Sequence, residues 1–335
     1  MAQSKRLSDI DFSILDLAPI LEGSTAADSF DNSLKLAQRA EELGYNRFWL
    51  AEHHSMPGIA SSATSVVIGY IAGGTSKIRV GSGGIMLPNH APLVIAEQFG
   101  TLESMYPGRI DLGLGRAPGT DQQTARALRR NAKTDGSEFP QQLTELQEFF
   151  RPTSPSKVRA IPGEGLDVPV WLLGSSGFSA QLAGKLGLPF SLASHFAPDY
   201  LLPALKLYRE SFQPSEVLDK PHAMIAVNVI AADSDEKAKW LATSQEQAFL
   251  NIIRGKNGQL QPPVENMDEL WSPYEESLVQ KMLHYSVAGS PSVVKEKLEE
   301  FLVETGADEM IVNTHVFDQA ERIRSYELLA DVVKN

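Results

Sequence analysis

The sequence contains no cysteine among its 335 residues. This absence excludes disulfide bonds, thiolate metal sites and a cysteine nucleophile. Basic residues are also few, with 30 Lys and Arg against 42 Asp and Glu and a formal net charge of −12 at pH 7. Because nucleic-acid backbones and anionic membranes attract clustered positive charge, this balance argues against both as partners.

Long apolar segments are lacking as well. Residues 1–9 contain no apolar run of the kind found in signal peptides, and no uncharged stretch approaches the length of a membrane-spanning helix. There is also no internal repeat and no low-complexity segment. A hydrophobic content of 42% and a charged content of 21% are ordinary for a soluble globular protein. We therefore expect a cytoplasmic protein in which residues 1–335 form a single domain.

Strand-like apolar runs alternate with helical patterns along most of the chain. A predicted strand at 12–17 precedes a predicted helix at 29–43, where Leu36, Ala37 and Ala40 recur at helical spacing. Eight strands, each followed by a helix, predict a (β/α)8 TIM barrel. An open, doubly wound sheet is the alternative, which the lack of an evident switch point disfavours. The other predicted strands are 47–51, 78–86, 109–114, 168–173, 189–193, 223–231 and 309–313. The other predicted helices are 62–73, 92–105, 140–150, 179–186, 198–212, one that begins at Ser234, 291–304 and one at the end of the chain.

Two irregular segments interrupt this alternation. Residues 117–167 follow the fourth strand, and residues 255–273 follow the seventh strand and its helix. Both are too long for simple connections, so we predict two insertions into the barrel.

The helix at 62–73 is apolar on nearly all sides, and we expect it to be well buried.

Ionisable side chains follow the second strand directly, as Glu52-His53-His54. In parallel α/β proteins, ligands bind at the carboxyl ends of the strands. A single histidine there is more often a packed structural residue. Three ionisable groups at one strand end indicate a site, and histidine is the usual proton shuttle at neutral pH. His53 and Glu52 are therefore candidate catalytic residues.

Two glycines lie at the end of the third predicted strand, and one arginine follows the fourth. Gly83 and Gly84 permit either a simple bulge or the close approach of a flat ring to the backbone. The run GLGRAPG at 113–119 does not match a dinucleotide fingerprint, because its spacing differs and Pro118 stands where the helix should begin. Arg116 within this run suits a phosphate or the edge of a polarisable ring, and a salt bridge to a loop carboxylate is the alternative.

Small hydroxyl residues follow the fifth strand at the start of a predicted helix. Ser175, Ser176 and Ser179 lie where a helix amino terminus offers free N–H groups and a positive dipole end. A helix N-cap requires only one serine. Three hydroxyls therefore favour a phosphate-binding loop. His195 follows the sixth strand and either lines the same opening or has a structural role.

Four motifs, taken in chain order, resemble those of the bacterial luciferase-like flavin monooxygenases. They are AEHH at 51–54, VGSGGIMLP at 80–88, PGRIDLGLGR at 107–116 and LGSS at 173–176 with GLP at 187–189. The residues GSP at 289–291 and VN at 312–313 resemble the end of that family's sequences. The resemblance covers nearly the whole chain.

This resemblance implies a TIM-barrel monooxygenase that takes reduced FMN from a separate flavin reductase and uses O2 to oxygenate a small organic substrate. Such an enzyme acts on paired donors with incorporation of molecular oxygen. By resemblance, the peptide bond between Gly83 and Gly84 is cis and lies beneath the flavin ring. Arg116 contacts the flavin, and His53 acts as acid and base. The phosphate-binding hydroxyls are those of Ser176 and Ser179, with Ser175 nearby.

Several alternatives remain open at this point. Luciferase itself pairs two homologous subunits and has a reactive cysteine, which this sequence lacks, so we expect a stand-alone homodimer that emits no light. The same resemblance allows an F420-dependent oxidoreductase or a flavin-binding protein without turnover. A metal-dependent TIM-barrel hydrolase would use residues such as Glu52, His53, His195 and His315, but their spacing is not diagnostic. We therefore expect FMN as the cofactor and no metal.

Overall fold

The computed structural model describes residues 5–117, 121–128, 136–153 and 157–334. Pro118, Gly119 and parts of the first predicted insertion lie outside these ranges. The strands in the described part of the chain are β1 (Asp11–Asp16), β2 (Arg47–Leu50), β3 (Arg79–Met86), β4 (Ile110–Gly115), β5 (Val170–Gly174), β6 (Phe190–Leu192), β7 (Ala223–Ala231), β8 (Val287–Gly289) and β9 (Glu309–Asn313).

Eight of these strands form a closed parallel barrel. Neighbours in the chain pair from β1 to β7, β7 pairs with β9, and β9 returns to β1, where Asp11 lies opposite Glu309. The pairing of β6 with β7 joins the two halves of the ring. The predicted TIM barrel is therefore confirmed, and the open doubly wound sheet is excluded because the ring of strands has no free edge.

The helices cover the outside of the barrel. They are α1 (Ala26–Leu43), α2 (Thr64–Gly73), α3 (Pro92–Met105), α4 (Gln122–Leu128), α5 (Phe139–Phe150), α6 (Gly177–Leu186), α7 (Leu201–Ser211), α8 (Asp235–Ile253), α9 (Pro273–Met282), α10 (Pro291–Thr305) and α11 (Gln319–Lys334). In the described residues, no helix is long and apolar enough to cross a bilayer.

Capping residues explain where α1 begins and ends. The Thr25 hydroxyl accepts a hydrogen bond from the Asp28 backbone N–H, and the Asp28 carboxylate accepts one from the Thr25 N–H. This capping box starts the helix three residues before the predicted position. Gly44 then ends it with a φ of 86°, a left-handed conformation that glycine adopts without strain.

The sequence did not reveal β8. This strand has only three residues and pairs with Val229–Ala231 at the carboxyl end of β7, outside the ring of eight. A Val-Ala-Gly segment shows no alternation of apolar and polar residues, so the pattern carries no strand signal. The predicted helix at 140–150 is confirmed as α5, and both predicted insertions lie after β4 and β7 as expected.

The main core lies between the strands and the surrounding helices, while a smaller cluster fills the barrel interior. The interior cluster consists of Leu15, Trp49, Ala51, Trp171, Met224, Ala226 and Ile311. The expectation that α2 is well buried is wrong for one of its faces. Val66 is 70% exposed and Tyr70 is 44% exposed, because only one side of this helix packs against the barrel.

Charged side chains fill the amino end of the barrel interior. The Arg47 guanidinium lies 2.8 Å from Asp111 of β4 and 2.8 Å from Glu309 of β9. Asp111 also pairs with Arg79 at 2.6 Å. Burial alone would raise the pKa of Glu309, but contacts with His222, Arg47 and Ser13 outweigh it and lower the pKa to about 2. We call Arg47, Arg79, Asp111 and Glu309 the basal ion network.

Replacing Arg47 with methionine should destabilise the protein by about 3–5 kcal/mol, because two buried carboxylates would lose a cationic partner. The free energy of unfolding in urea measures this change. Arg324→Met is the matched control, since Arg324 forms an exposed ion pair with Asp233 and such pairs contribute at most about 1 kcal/mol. Equal losses for the two variants would contradict a structural role for the basal ion network.

Candidate functional site

A cavity of about 680 Å³ opens at the carboxyl end of the barrel. Its size is typical of a small-molecule or cofactor site. The strand ends and the loops after them supply most of its wall, and α8, α9 and the second insertion supply the rest. The lining residues at or after the strand ends include Leu17, His53, Met86, Arg116, Ser175, Ser176, Ser179, His195 and His315.

The second insertion forms a roof over this cavity. We call residues 255–261 the roof segment. Leu260 in this segment pairs with the loop after β1, donating its N–H to Ile20 and accepting one from Glu22. A side-chain carbon on Gly58 would overlap the carbonyl oxygen of Gly258, so the loop after β2 approaches the roof at a glycine. The roof segment therefore shields the cavity from solvent.

The peptide bond between Gly83 and Gly84 is cis. The register of β3 against β4 shifts between Gly83 and Ile85, and Gly83 lines the cavity. A Cβ atom on Gly84 would lie 2.7 Å from the carbonyl oxygen of Gly113. This position requires glycine because the neighbouring atom is backbone and cannot rotate away.

Hydroxyl groups gather at the amino end of α6. Ser175, Ser176 and Ser179 all line the cavity, and Ser176 is the N-cap residue. In the part of the chain that the structure describes, the Ser176 side chain makes no capping hydrogen bond to the helix. The hydroxyl and the first N–H groups of α6 are thus available to an anion.

Arg116 lies beside the same helix end. Its guanidinium carbon is 4.4 Å from the centre of the Phe178 ring, in the first turn of α6. This cation–π contact places a permanent positive charge beside the first turn of α6. The positive end of the α6 dipole and the Arg116 charge therefore act on the same part of the cavity.

His53 reaches the cavity from the loop after β2. Its Nδ1 atom is buried and has no hydrogen-bond partner in the described structure. Burial lowers the pKa of His53, and the nearby Glu52 carboxylate opposes this shift only in part. The ring is therefore mainly neutral at neutral pH and able to accept a proton.

Glu52 points away from the cavity and does not line it. Its carboxylate is 1% exposed and lies 2.8 Å from His54 Nε2 and 2.9 Å from His90 Nε2. Burial would raise the pKa of Glu52, but these histidines and the Met86 N–H lower it to about 2. We therefore correct its assignment from catalytic residue to positioning residue for the loops after β2 and β3.

The same three side chains are a possible metal site. The potential ligand atoms of Glu52, His54 and His90 lie within 4.8 Å of one another, the one such group found in the described residues. The carboxylate and the imidazoles already satisfy one another by hydrogen bonds. These hydrogen bonds account for the arrangement of the three side chains without a bound ion.

Two further histidines line the cavity: His195, for which the sequence left both a place at this opening and a structural role open, and His315, which it did not assign to the flavin site. Burial lowers the pKa of His195 to about 3 and that of His315 to about 4, so both rings are neutral at pH 7. His315 packs edge-on against Phe249 of α8, with ring centres 6.4 Å apart. A histidine directly after a strand was the only available signal, and it is weak for a single residue.

Residues 10–309 match the family model for luciferase-like monooxygenases. The chain belongs to this family. A luciferase-like monooxygenase of Escherichia coli K12 is 57% identical over 324 residues, which cover 96% of this chain and 97% of the relative. An N-acetyl-S-alkylcysteine monooxygenase of Bacillus subtilis 168 is 35% identical, covering 97% of this chain and 98% of the relative.

Solved structures of other proteins share the barrel fold of this chain. The ligand-free structure of MsnO8 has a TM-score of 0.87 and 33% identity, covering 97% of this chain and 98% of MsnO8. A type II Baeyer–Villiger monooxygenase in complex with FMN has a TM-score of 0.72 at 21% identity, covering 96% of this chain and 97% of that one. An F420-dependent secondary alcohol dehydrogenase has a TM-score of 0.70 at 15% identity, covering 98% of this chain and all of that one. The last two share the fold with this chain.

Proposed function

We propose that this protein is an FMN-dependent monooxygenase that uses reduced FMN and O2 to oxygenate a small organic substrate. The observation that carries the proposal is that one cavity is lined both by the amino end of α6 and by Gly83 of β3. The amino end of α6 offers hydroxyls, N–H groups and a cation, while Gly83 lets a flat ring lie against the backbone of β3. A phosphorylated ring system matches both features at once.

The groups at α6 suit a terminal phosphate. Ser175, Ser176 and Ser179 provide donors of small size, and Arg116 compensates the negative charge. Gly174 keeps this cradle open, because a Cβ atom there would lie 2.6 Å from the Cβ atom of Ser179. A phosphate dianion gains most from combined hydrogen bonds and charge.

When bound, reduced FMN supplies the electrons that activate O2 for transfer of one oxygen atom to the substrate. The chain contributes shielding and proton control. The roof segment and the apolar wall exclude water. The neutral His53 ring lines the cavity, so its imidazole accepts a proton and returns it. Glu52 keeps the loop that carries His53 in place through His54 and His90.

An F420-dependent oxidoreductase is the second candidate. The F420-dependent alcohol dehydrogenase has the same fold, and F420 also carries a flat ring and a phosphate. We favour FMN because its terminal phosphate monoester is a better partner for three clustered hydroxyls than the phosphodiester of F420. A protein that binds flavin without catalysing a reaction does not need a substrate volume. The roof segment covers such a volume beside the proposed flavin site.

The partners follow from this chemistry. We propose a separate flavin reductase as the source of reduced FMN. The relative that acts on N-acetyl-S-alkylcysteine suggests a thioether among the first substrates to test. We also propose a homodimer, since the exposed Val66 and Tyr70 leave an apolar face on α2.

Replacing Arg116 with alanine should raise the dissociation constant for FMN about tenfold or more, because a charge-assisted contact to phosphate is lost. Quenching of flavin fluorescence measures the constant. Arg324→Ala, which removes a surface arginine from α11, should leave it unchanged. An unaltered dissociation constant for FMN in Arg116→Ala would refute the assignment of Arg116 to the phosphate. Tighter binding of F420 than of FMN by the unmodified protein would refute FMN as the cofactor.

Replacing His53 with alanine should leave FMN binding little changed and slow product formation about 100-fold, as expected for loss of a general acid–base group. The measurement is product formation from the best substrate among N-acetyl-S-methylcysteine, other thioethers and small ketones. His284→Ala is the control, because His284 is exposed and does not line the cavity. Turnover by His53→Ala equal to that of the control would remove His53 from the mechanism.

A further inference from the structure

We infer that His315 binds the substrate by donating its Nε2–H to an uncharged acceptor oxygen, such as that of a ketone or an amide. The inference rests on the proposed function, because it takes the volume beside the flavin site as the substrate site. Two buried asparagines, Asn228 of β7 and Asn313 of β9, orient His315, and we call them the asparagine relay.

The orientation of Asn228 is fixed by a backbone group. Its side-chain nitrogen lies 2.6 Å from the carbonyl oxygen of His195 and 3.0 Å from the Ser286 hydroxyl. A carbonyl oxygen can only accept hydrogen bonds, so the NH2 group of Asn228 must face it. The Asn228 Oδ1 atom therefore faces the other way, toward Asn313.

The orientation of the Asn313 side-chain amide follows from that of Asn228. Its side-chain nitrogen lies 3.1 Å from Asn228 Oδ1 and 3.3 Å from His315 Nδ1. An amide rotated by 180° would place two acceptor oxygens against each other in a buried site. The NH2 group of Asn313 thus donates one hydrogen to Asn228 and the other to His315.

The His315 tautomer follows from this arrangement. Because Nδ1 accepts from Asn313, it carries no proton, and the proton of the neutral ring is on Nε2. The ring stays neutral at pH 7 because burial and the nearby Arg322 charge lower its pKa to about 4. His315 therefore presents one N–H donor of fixed position, and the side chain lines the cavity.

The surroundings favour an uncharged acceptor. The described residues that line the cavity include no Asp or Glu, and the cations among them are Arg116 at α6 and Lys256 in the roof segment. Arg322, which approaches His315, is ion-paired with Asp16 at 2.8 Å and has no free charge to offer a second carboxylate. Phe249 packs against the ring. A carboxylate next to His315 would thus lose its hydration without gaining a cation.

The tautomer is tested first, in protein labelled with ¹⁵N at histidine. We expect the NMR spectrum at pH 7 to show His315 protonated at Nε2 and unprotonated at Nδ1. In Asn313→Asp the new carboxylate accepts hydrogen bonds only, so the proton should move to Nδ1. Asn251→Asp is the control, because it adds the same charge to the cavity wall away from the asparagine relay. This test requires no flavin, so its result is independent of whether the protein is a monooxygenase.

Binding is tested with three matched probes, 2-hexanone, 2-methyl-1-hexene and hexanoate, with and without FMN. The alkene has a CH2 group in place of the ketone oxygen. His315→Phe should weaken the binding of 2-hexanone about tenfold, the effect of losing one hydrogen bond in a dry site, and leave that of the alkene nearly unchanged. On titration, 2-hexanone should shift the His315 Nε2 signal of the unmodified protein.

Several results would overturn the inference. One is a proton on Nδ1 of His315 in the unmodified protein. A second is equal weakening of ketone and alkene binding by His315→Phe, which would indicate a purely steric role. A third is tighter, His315-dependent binding of hexanoate than of 2-hexanone, which would identify an anionic substrate group. Failure to bind FMN would refute the proposed function and leave the tautomer and probe results standing.

Discussion

The basal ion network is the constraint on which the rest of this structure depends. Arg47, Asp111 and Glu309 begin or nearly begin three strands, and they meet inside the barrel, where both carboxylates are fully buried. Each charge is tolerable only while its partners remain in place. The network therefore fixes the relative position of β2, β4 and β9 and closes the amino end of the barrel.

Above the basal ion network, toward the carboxyl end, the next layer of the barrel interior includes aromatic side chains. Trp49 donates its indole N–H to Asp111, and Trp171 lies under the Arg47 guanidinium at 4.7 Å. These two rings pack edge to face and separate the charges from the cavity. The barrel interior is thus filled at one end and hollow at the other. Within the described residues, the cavity of about 680 Å³ lies at the carboxyl end, so that end has the volume that a ligand requires.

Sequence reasoning predicted the barrel because each β/α unit carries a local signal. The buried strands and the glycines near their ends are visible in the residue order. It also predicted that His53, Arg116 and the three serines lie together, since carboxyl ends of parallel strands meet on one face. Glu52 shows the limit, because it lies in the loop after β2, where no regular period tells which side chain faces the cavity.

Other features depend on contacts distant in the chain. The roof segment is irregular in sequence, and its place is fixed by backbone pairing of Leu260 with residues near position 20. His315 is a lone histidine after a strand. Its role as a donor depends on Asn228, 87 positions earlier in the numbering, and on the backbone of His195. No local sequence pattern predicts such a chain of hydrogen bonds. The short strand β8 was missed because three residues cannot establish a period.

The central claim is that this cavity binds reduced FMN and controls its reaction with oxygen. Anaerobic titration of the protein with reduced FMN, followed by rapid mixing with oxygenated buffer and absorbance spectroscopy, tests this claim most directly. The account predicts saturable binding and a time course of flavin oxidation that depends on the protein. Absence of binding, or oxidation at the rate of free flavin with and without candidate substrates, would contradict it.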